Sequence, residues 1–264
     1  MKDQWALILG ASSGFGEATS LELARAGMHI FGVHLDRRAT MPNVVRIRTN
    51  IHSLKRKSHF FNINAADPRK RKAALDEMQN ILQRQDENAS IQVLLHSLAF
   101  GSLGRFFPDD SARPIGPDQM NMTVDVMAHS LVYWVQELVC RKLLREGGRI
   151  LAMTSSGSHR VWSSYGPVSA AKAALESHIR QIALELAPRG ITANSLQAGV
   201  TDTPALRRIP GYEQMVVSAR QCNPGGRLTT PQDVARTIVA LCHPFTQWMT
   251  GNVIRVDGGE DITG

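Results

Sequence analysis

The sequence predicts a single α/β domain: an open, parallel, doubly wound sheet of about seven strands with helices on both faces. Short apolar runs alternate with longer amphipathic segments along the whole chain. Parallel neighbours need crossover connections, which are usually helices. A glycine-rich turn, "GASSGFG", follows the first apolar run. The 264 residues, 43% of them hydrophobic, can bury one large core. No Pro/Gly/Ser-rich linker divides them, so residues 1–264 are expected to form one domain.

The elements follow in order. "QWALILGASSGFGEATSLELARAGMHIFGVHLDRR" reads as a strand, the glycine turn, a helix ending near Gly27 and a second strand through Leu35. Val44, Ile47, Ile51 and Leu54 recur at helical spacing, and "SHFFNIN" is the third strand. A helix over about 68–85, the strand "SIQVLLHSLA", a long helix over about 118–145 and the strand "GRILAMTSS" continue the alternation. A helix from Pro167 to about Ala187 leads to "GITANSLQA", and "PQDVARTIVALC" and "GNVIRVDGG" supply the last helix and strand. Two irregular stretches, near 100–117 and 201–227, follow the carboxyl ends of strands, where open α/β sheets bind ligands. They are the expected substrate loops.

A net charge of +7 first raises nucleic acid as a partner. The basic residues are scattered, however, without interleaved aromatics, zinc-ligand spacing or a helix-turn-helix pattern, so no nucleic acid is expected. An acidic protein partner or a phosphorylated ligand fits the charge equally well, and solvated helix faces account for much of it. Cys140, Cys222 and Cys242 are odd in number and share no metal-ligand spacing, which suits a reducing compartment. No apolar run approaches the length of a membrane span, and no signal peptide precedes the glycine motif. A cytoplasmic protein that binds neither a membrane nor a metal is expected.

Gly10, Gly14 and Gly16 lie between the first strand and the first helix. Glycine there permits a tight turn and close approach of a pyrophosphate, which the free N–H groups of the helix start would bind. The turn therefore points to a Rossmann-like dinucleotide site made by Gly10, Ser12, Ser13, Gly14, Phe15 and Gly16. An acid after the second strand would bind a ribose 2′-hydroxyl, whereas arginine would welcome a 2′-phosphate. "VHLDRR" offers both, Asp36 and then Arg37 and Arg38. NADPH is the preferred expectation, with NADH as the alternative.

"YGPVSAAK" sets Tyr165 seven residues before Lys172, nearly two helical turns, so both can share one face about 10.5 Å apart. That suits two groups gripping different parts of one extended ligand. Ser163 and Ser164 are candidate caps of this helix, and Pro167 fits its first turn.

The glycine spacing, the late Tyr and Lys and the closing "VDGG" together resemble the short-chain dehydrogenase/reductase family over essentially the whole chain. Most members place the tyrosine four residues before the lysine, where this chain has Val168. The seven-residue spacing, the segment His96-Ser97-Leu98-Ala99 and Asp125 in the helix "DVMAHSLVYW" resemble the enoyl-acyl carrier protein reductase branch. Ser155 stands where part of that branch carries an additional tyrosine.

The resemblance implies reduction of a trans-2-enoyl thioester in fatty acid synthesis. Tyr165 would meet the thioester carbonyl, Ser155 would be a second donor, and Lys172 would hold the nicotinamide ribose. Asn64 and Ala65 would contact adenine, Ser97 and Leu98 the adenosine ribose, and Thr201 and Thr203 the nicotinamide carboxamide and pyrophosphate. For Thr203 a local helix cap is the alternative. His34 aligns with the acid that usually selects NAD. Acyl carrier protein, strongly acidic, is the expected partner, steered by Arg207 and Arg208, and a homotetramer is expected. His96, His129 and His159 lack paired ligand spacing and are read as structural. Carbonyl or alcohol chemistry, an enoyl-CoA substrate and a dinucleotide-binding regulator without turnover are the rival readings.

Overall fold

A computed structural model describes residues 2–86, 88–109 and 113–263. Residues 110–112 of the expected 100–117 loop therefore lie outside the described residues. Strands β1 (Trp5–Leu9), β2 (His29–His34), β3 (Ser58–Asn62), β4 (Ile91–His96), β5 (Leu144–Ser155), β6 (Thr192–Ala198) and β7 (Val253–Val256) form one sheet in the order β3-β2-β1-β4-β5-β6-β7. Every pairing is parallel. The expected seven-stranded, doubly wound sheet is present. Its order reverses between β1 and β4, and the crevice at such a switch point is where this architecture holds ligands.

Helices α1 (Gly14–Arg25), α2 (Met41–Ser53), α3 (Pro68–Gln85), α4 (Pro117–Val124), α5 (Ser130–Cys140), α6 (Gly166–Leu186), α7 (Tyr212–Cys222), α8 (Pro231–Leu241) and the short α9 (Glu260–Thr263) complete the fold. β1 is buried at all five positions and β2 at all six, the signature of strands covered on both faces. One core packs Leu7, Leu9, Phe31 and Leu94 against Leu75, Trp134, Leu175 and Ile179 of α3, α5 and α6. The other packs Ala6, Ile8, Val93 and Leu95 against Leu23, Ile47, Val234 and Ile238 of α1, α2 and α8. Among the described residues no helix is long and apolar enough to cross a membrane.

Three sequence expectations need correction. The helix expected over 118–145 is two helices joined by a π turn, Asp125–His129, and it ends at Cys140. Lys142 takes a left-handed φ of 57°, and Leu143 N–H donates to the Leu138 carbonyl, so backbone bonds alone stop the helix without a glycine signal. Leu144 already pairs with Ile91 in the sheet. The expected irregular stretch 201–227 contains α7, which starts after Gly211 in a left-handed conformation. The third correction concerns α6. Its N-cap is Tyr165 itself, with no side-chain cap from Ser163 or Ser164, and Ser164 instead has a φ of 64°.

Candidate active site

All the expected site residues lie at the carboxyl edge of the sheet or just beyond it. At the β1–α1 turn, a Cβ on Gly16 would stand 2.0 Å from the Gly10 carbonyl oxygen, and one on Gly10 would stand 2.4 Å from the Ser97 oxygen. Only glycine allows this closeness. Gly10 and Ala11 N–H both donate to the Val33 carbonyl, and Ser97 N–H to the Leu9 carbonyl. These bonds bring Ser12, Ser13, Phe15, Ser97 and Leu98 to one place beside the switch point. Ser13 is exposed and caps α1 without a side-chain bond, which leaves the first-turn N–H groups available to an anion. Gly14 faces Thr203, whose Cγ2 would lie 3.4 Å from an added Cβ, so the β6 loop closes over the same turn. This cradle, which a Cβ would fill, fits a pyrophosphate.

Asn43 of α2 was invisible to motif reading. Its amide donates to the Ser12 carbonyl at 2.6 Å and to Glu17 at 2.9 Å, bracing the turn from behind. Asp36 pairs with His34 Nδ1 at 2.9 Å. Burial alone would raise the Asp36 carboxyl, yet hydrogen bonds from Thr40, Ser12 and His34 outweigh it and hold the acid below its ordinary range. An ionised carboxylate thus stands against the glycine turn, with Arg37 and Arg38 exposed next to it. The Asn64 side chain accepts from Ala66 N–H, and the buried Ala65 offers its carbonyl to Trp134 Nε1.

Lys172 and Tyr165 occupy α6. The Lys172 side chain is buried, and its Nζ donates to the Met153 carbonyl at 2.7 Å, its one hydrogen-bond partner among the described residues. Burial pushes the ammonium down to about 8, and Glu176, one turn further along, acts against the fall. Glu176 also accepts from Thr154 Oγ1 at 2.5 Å, tying α6 to the end of β5. The spacing of Lys172 and Glu176, four residues, is a signal that the sequence carried.

Tyr165 is half-buried and packs with Val126, Met127, Val168 and Ala171. Burial raises its phenol above the ordinary value, against the opposing hydrogen bond with Ser155, so it stays protonated as a donor at neutral pH. Ser155 accepts from Gly157 N–H at 3.1 Å. Val168, where most family members carry tyrosine, is an apolar core residue. The Phe106 ring would lie 2.4 Å from a Cβ on Gly166, which sets it beside Tyr165. Trp162 Nε1 reaches the Pro210 carbonyl at 3.4 Å, and Phe107 and Val161 are exposed nearby. Phe106 and Trp162 thus set apolar surface beside Tyr165.

The histidines divide by environment. Ser130 Oγ donates its proton to the Val126 carbonyl at 2.7 Å, so His96 Nε2 must be the N–H that meets Ser130 at 2.9 Å. Its Nδ1 is then a bare acceptor, without a partner among the described residues. Burial, with Lys172 near, pushes His96 down to about 3, so it stays neutral at physiological pH. His129 pairs with His178, and His159 with Asp261. Among the described residues no group of three or more candidate ligands could hold a metal ion. Thr201 and Thr203 are buried where expected. The Thr203 hydroxyl accepts from Leu206 N–H, the local cap foreseen as the alternative, and Thr201 donates to the Gly199 carbonyl. Arg207 is engaged by Asp202 at 2.7 and 2.9 Å, whereas Arg208 is exposed.

A parallel sheet with a glycine-turn cradle at its switch point, and a tyrosine and buried lysine on one helix beside it, defines a short-chain dehydrogenase/reductase. A family model described as enoyl-(acyl carrier protein) reductase matches residues 10–260. The enoyl-(acyl carrier protein) reductase (NADH) of Aquifex aeolicus is 32% identical over 72% of this chain and 70% of its own. That of Buchnera aphidicola is 30% identical over 64% of each chain, so the match spans about two thirds of these relatives' length. The crystal structure of the Aquifex protein superposes over 100% of this chain and 98% of its own, with a TM-score of 0.82 at 24% identity. A Burkholderia cenocepacia short-chain dehydrogenase in complex with NADP covers 98% of each chain, with a TM-score of 0.84 at 23% identity. The chain belongs to the enoyl-(acyl carrier protein) reductase family of the nicotinamide-dependent short-chain oxidoreductases.

Proposed function

We propose that this chain saturates the carbon–carbon double bond of a trans-2-enoyl thioester, carried by acyl carrier protein, with NADPH or NADH. One observation carries the proposal: Tyr165, its ring packed against Gly157 in the turn that Ser155 opens, stands beside the cleft, while the position used by carbonyl-reducing relatives is the buried Val168. When bound, the nicotinamide supplies a hydride. The glycine turn from Gly10 to Gly16 and the first turn of α1 bind the pyrophosphate. Asn64 and Ala65 meet adenine, Ser97 and Leu98 its ribose, and Thr201 and Thr203 the nicotinamide end. Lys172 directs its remaining N–H groups to the nicotinamide ribose.

Hydride would be delivered to the β-carbon, so negative charge develops on the thioester oxygen, three bonds away rather than the single bond of carbonyl reduction, and a proton taken up at the α-carbon completes the saturation. A donor set outward on α6 suits that oxygen better than one at position 168. Tyr165 stabilises the developing enolate, and Ser155 is a second donor. One such donor lowers the barrier by about 2.7–4 kcal/mol. The apolar surface of Phe106 and Trp162 suits an acyl chain. Arg208 is the better placed of the two arginines to steer an acidic carrier, since Asp202 already neutralises Arg207. The homotetramer belongs to the same proposal, and the edge strand β7 with the exposed Trp248 and Phe245 supports it.

The test is an assay with crotonyl and acetoacetyl thioesters, each on acyl carrier protein and on CoA, with NADPH and with NADH, followed by absorbance of the reduced nicotinamide. Turnover of crotonyl thioester is expected. Turnover of acetoacetyl thioester in its place would assign carbonyl chemistry, and turnover of neither would leave the chain a binding protein.

A further inference from the structure

The segment after β7 folds back onto both loops that flank the proposed nicotinamide pocket. Asp257 begins it: its carboxylate accepts from Gly259 and Asp261 N–H, each at 3.0 Å. From that turn two neighbouring carboxylates leave in different directions. The Glu260 oxygens lie 3.0 and 3.1 Å from Val200 N–H, and the carboxylate presses on Gly199, where a Cβ would stand 2.8 Å from Oε2. Val200 is the residue before Thr201. Asp261, with its side chain only 4% exposed, takes Arg160 Nε at 2.8 Å, Arg255 at 3.0 Å and His159 Nε2 at 3.2 Å. Arg160 also donates to the Asp261 carbonyl.

His159 and Arg160 close the turn that Ser155 opens, since both donate backbone N–H to the Ser156 carbonyl. Inside that turn lies Gly157, against which the Tyr165 ring packs. A carboxylate shielded from water is costly unless it is paired, and partners on two separate segments, the 155–160 turn and β7, fix their relative positions. The 155–160 turn, which Ser169 Oγ of α6 also holds by donating to the Gly157 carbonyl, and the 199–203 loop are thereby both tied to the turn that Asp257 begins.

Resting on the function proposed above, we infer that Asp261 and Glu260 are positioning residues with separate tasks. Asp261 holds the 155–160 turn, and through Gly157 the tyrosine. Glu260 holds the 199–203 loop, and through Thr201 and Thr203 the cofactor. Neither touches substrate.

The experiment measures kcat, and cofactor Kd by fluorescence, for Asp261→Asn, Glu260→Ala, Arg160→Met and the Asp261→Asn/Arg160→Met pair, with Tyr165→Phe alongside. Asp261→Asn is expected to lower kcat by roughly 10- to 100-fold at unchanged Kd, the range a displacement of about 1 Å produces. Arg160→Met removes the same link from its exposed side and carries the test should Asp261→Asn fail to fold. In the pair, the second substitution is expected to add little to the loss from the first. Glu260→Ala is expected to raise Kd about tenfold with kcat at saturation little changed. Variants that match wild type, or that lower kcat and affinity by one common factor, overturn the division of tasks. If Tyr165→Phe retains full turnover, the reading of the site itself fails; if it is inactive while the carboxylate variants are normal, only the positioning inference does.

Discussion

Tyr165 and Gly157 are in van der Waals contact across the mouth of the site: a Cβ on Gly157 would stand 2.5 Å from Tyr165 Cε1. Backbone from the 155–160 turn therefore forms one wall of the tyrosine pocket. Gly157→Ala must displace the ring, and kcat is expected to fall at least tenfold with cofactor Kd unchanged. Tyr165→Phe should lose roughly 10²- to 10³-fold in kcat, the cost of one oxyanion donor. Steady-state kinetics beside a fluorescence titration of cofactor check both.

Lys172 makes a prediction in which activity and stability move in opposite directions. Its ammonium, ordinarily near 10.5, is pushed down to about 8 by burial. Between those values the unfolded chain binds the additional proton, so stability rises with pH across that window, and the cost of the buried charge is fully present below pH 8. Lys172→Met should abolish turnover yet raise stability at pH 7, by roughly 1–3 kcal/mol. In the wild type, kcat/KM should decline as pH rises through about 8. Thermal unfolding and a pH–rate profile test the two halves.

Glu176 is the carboxylate that opposes this fall. In Glu176→Gln, the alkaline limb of kcat/KM should move to lower pH, because the lysine loses the charge favouring its protonated form. The amide retains an acceptor for Thr154, so the midpoint of thermal unfolding should change little. A limb that stays in place would separate Glu176 from the lysine.

Cofactor choice falls on Asp36 against Arg37 and Arg38. The ionised carboxylate beside Ser12 would accept a ribose hydroxyl and repel a phosphate, whereas the exposed guanidinium groups would favour the phosphate. Asp36→Ala should shift the ratio of kcat/KM values toward NADPH, and the Arg37→Ala/Arg38→Ala pair toward NADH, each by about tenfold or more. Kinetics of each variant with both cofactors give the two ratios.

Local sequence determined the alternation of strands and helices, the glycine turn and the Tyr165–Lys172 pair, because periodicity and tight-turn chemistry act within a few residues. Even there, α5 stops at Cys140 on backbone bonds that no residue type announces. Only the tertiary structure decided the rest. It brought Asn43 behind Ser12, Glu176 to Thr154, and Glu260 and Asp261 onto loops about 60 and 100 positions earlier in the chain. Polar side chains whose partners lie far away in the sequence carry no periodic signal. Their partners are chosen by which strand ends lie side by side in the sheet, and that follows from the packing of both helical layers at once.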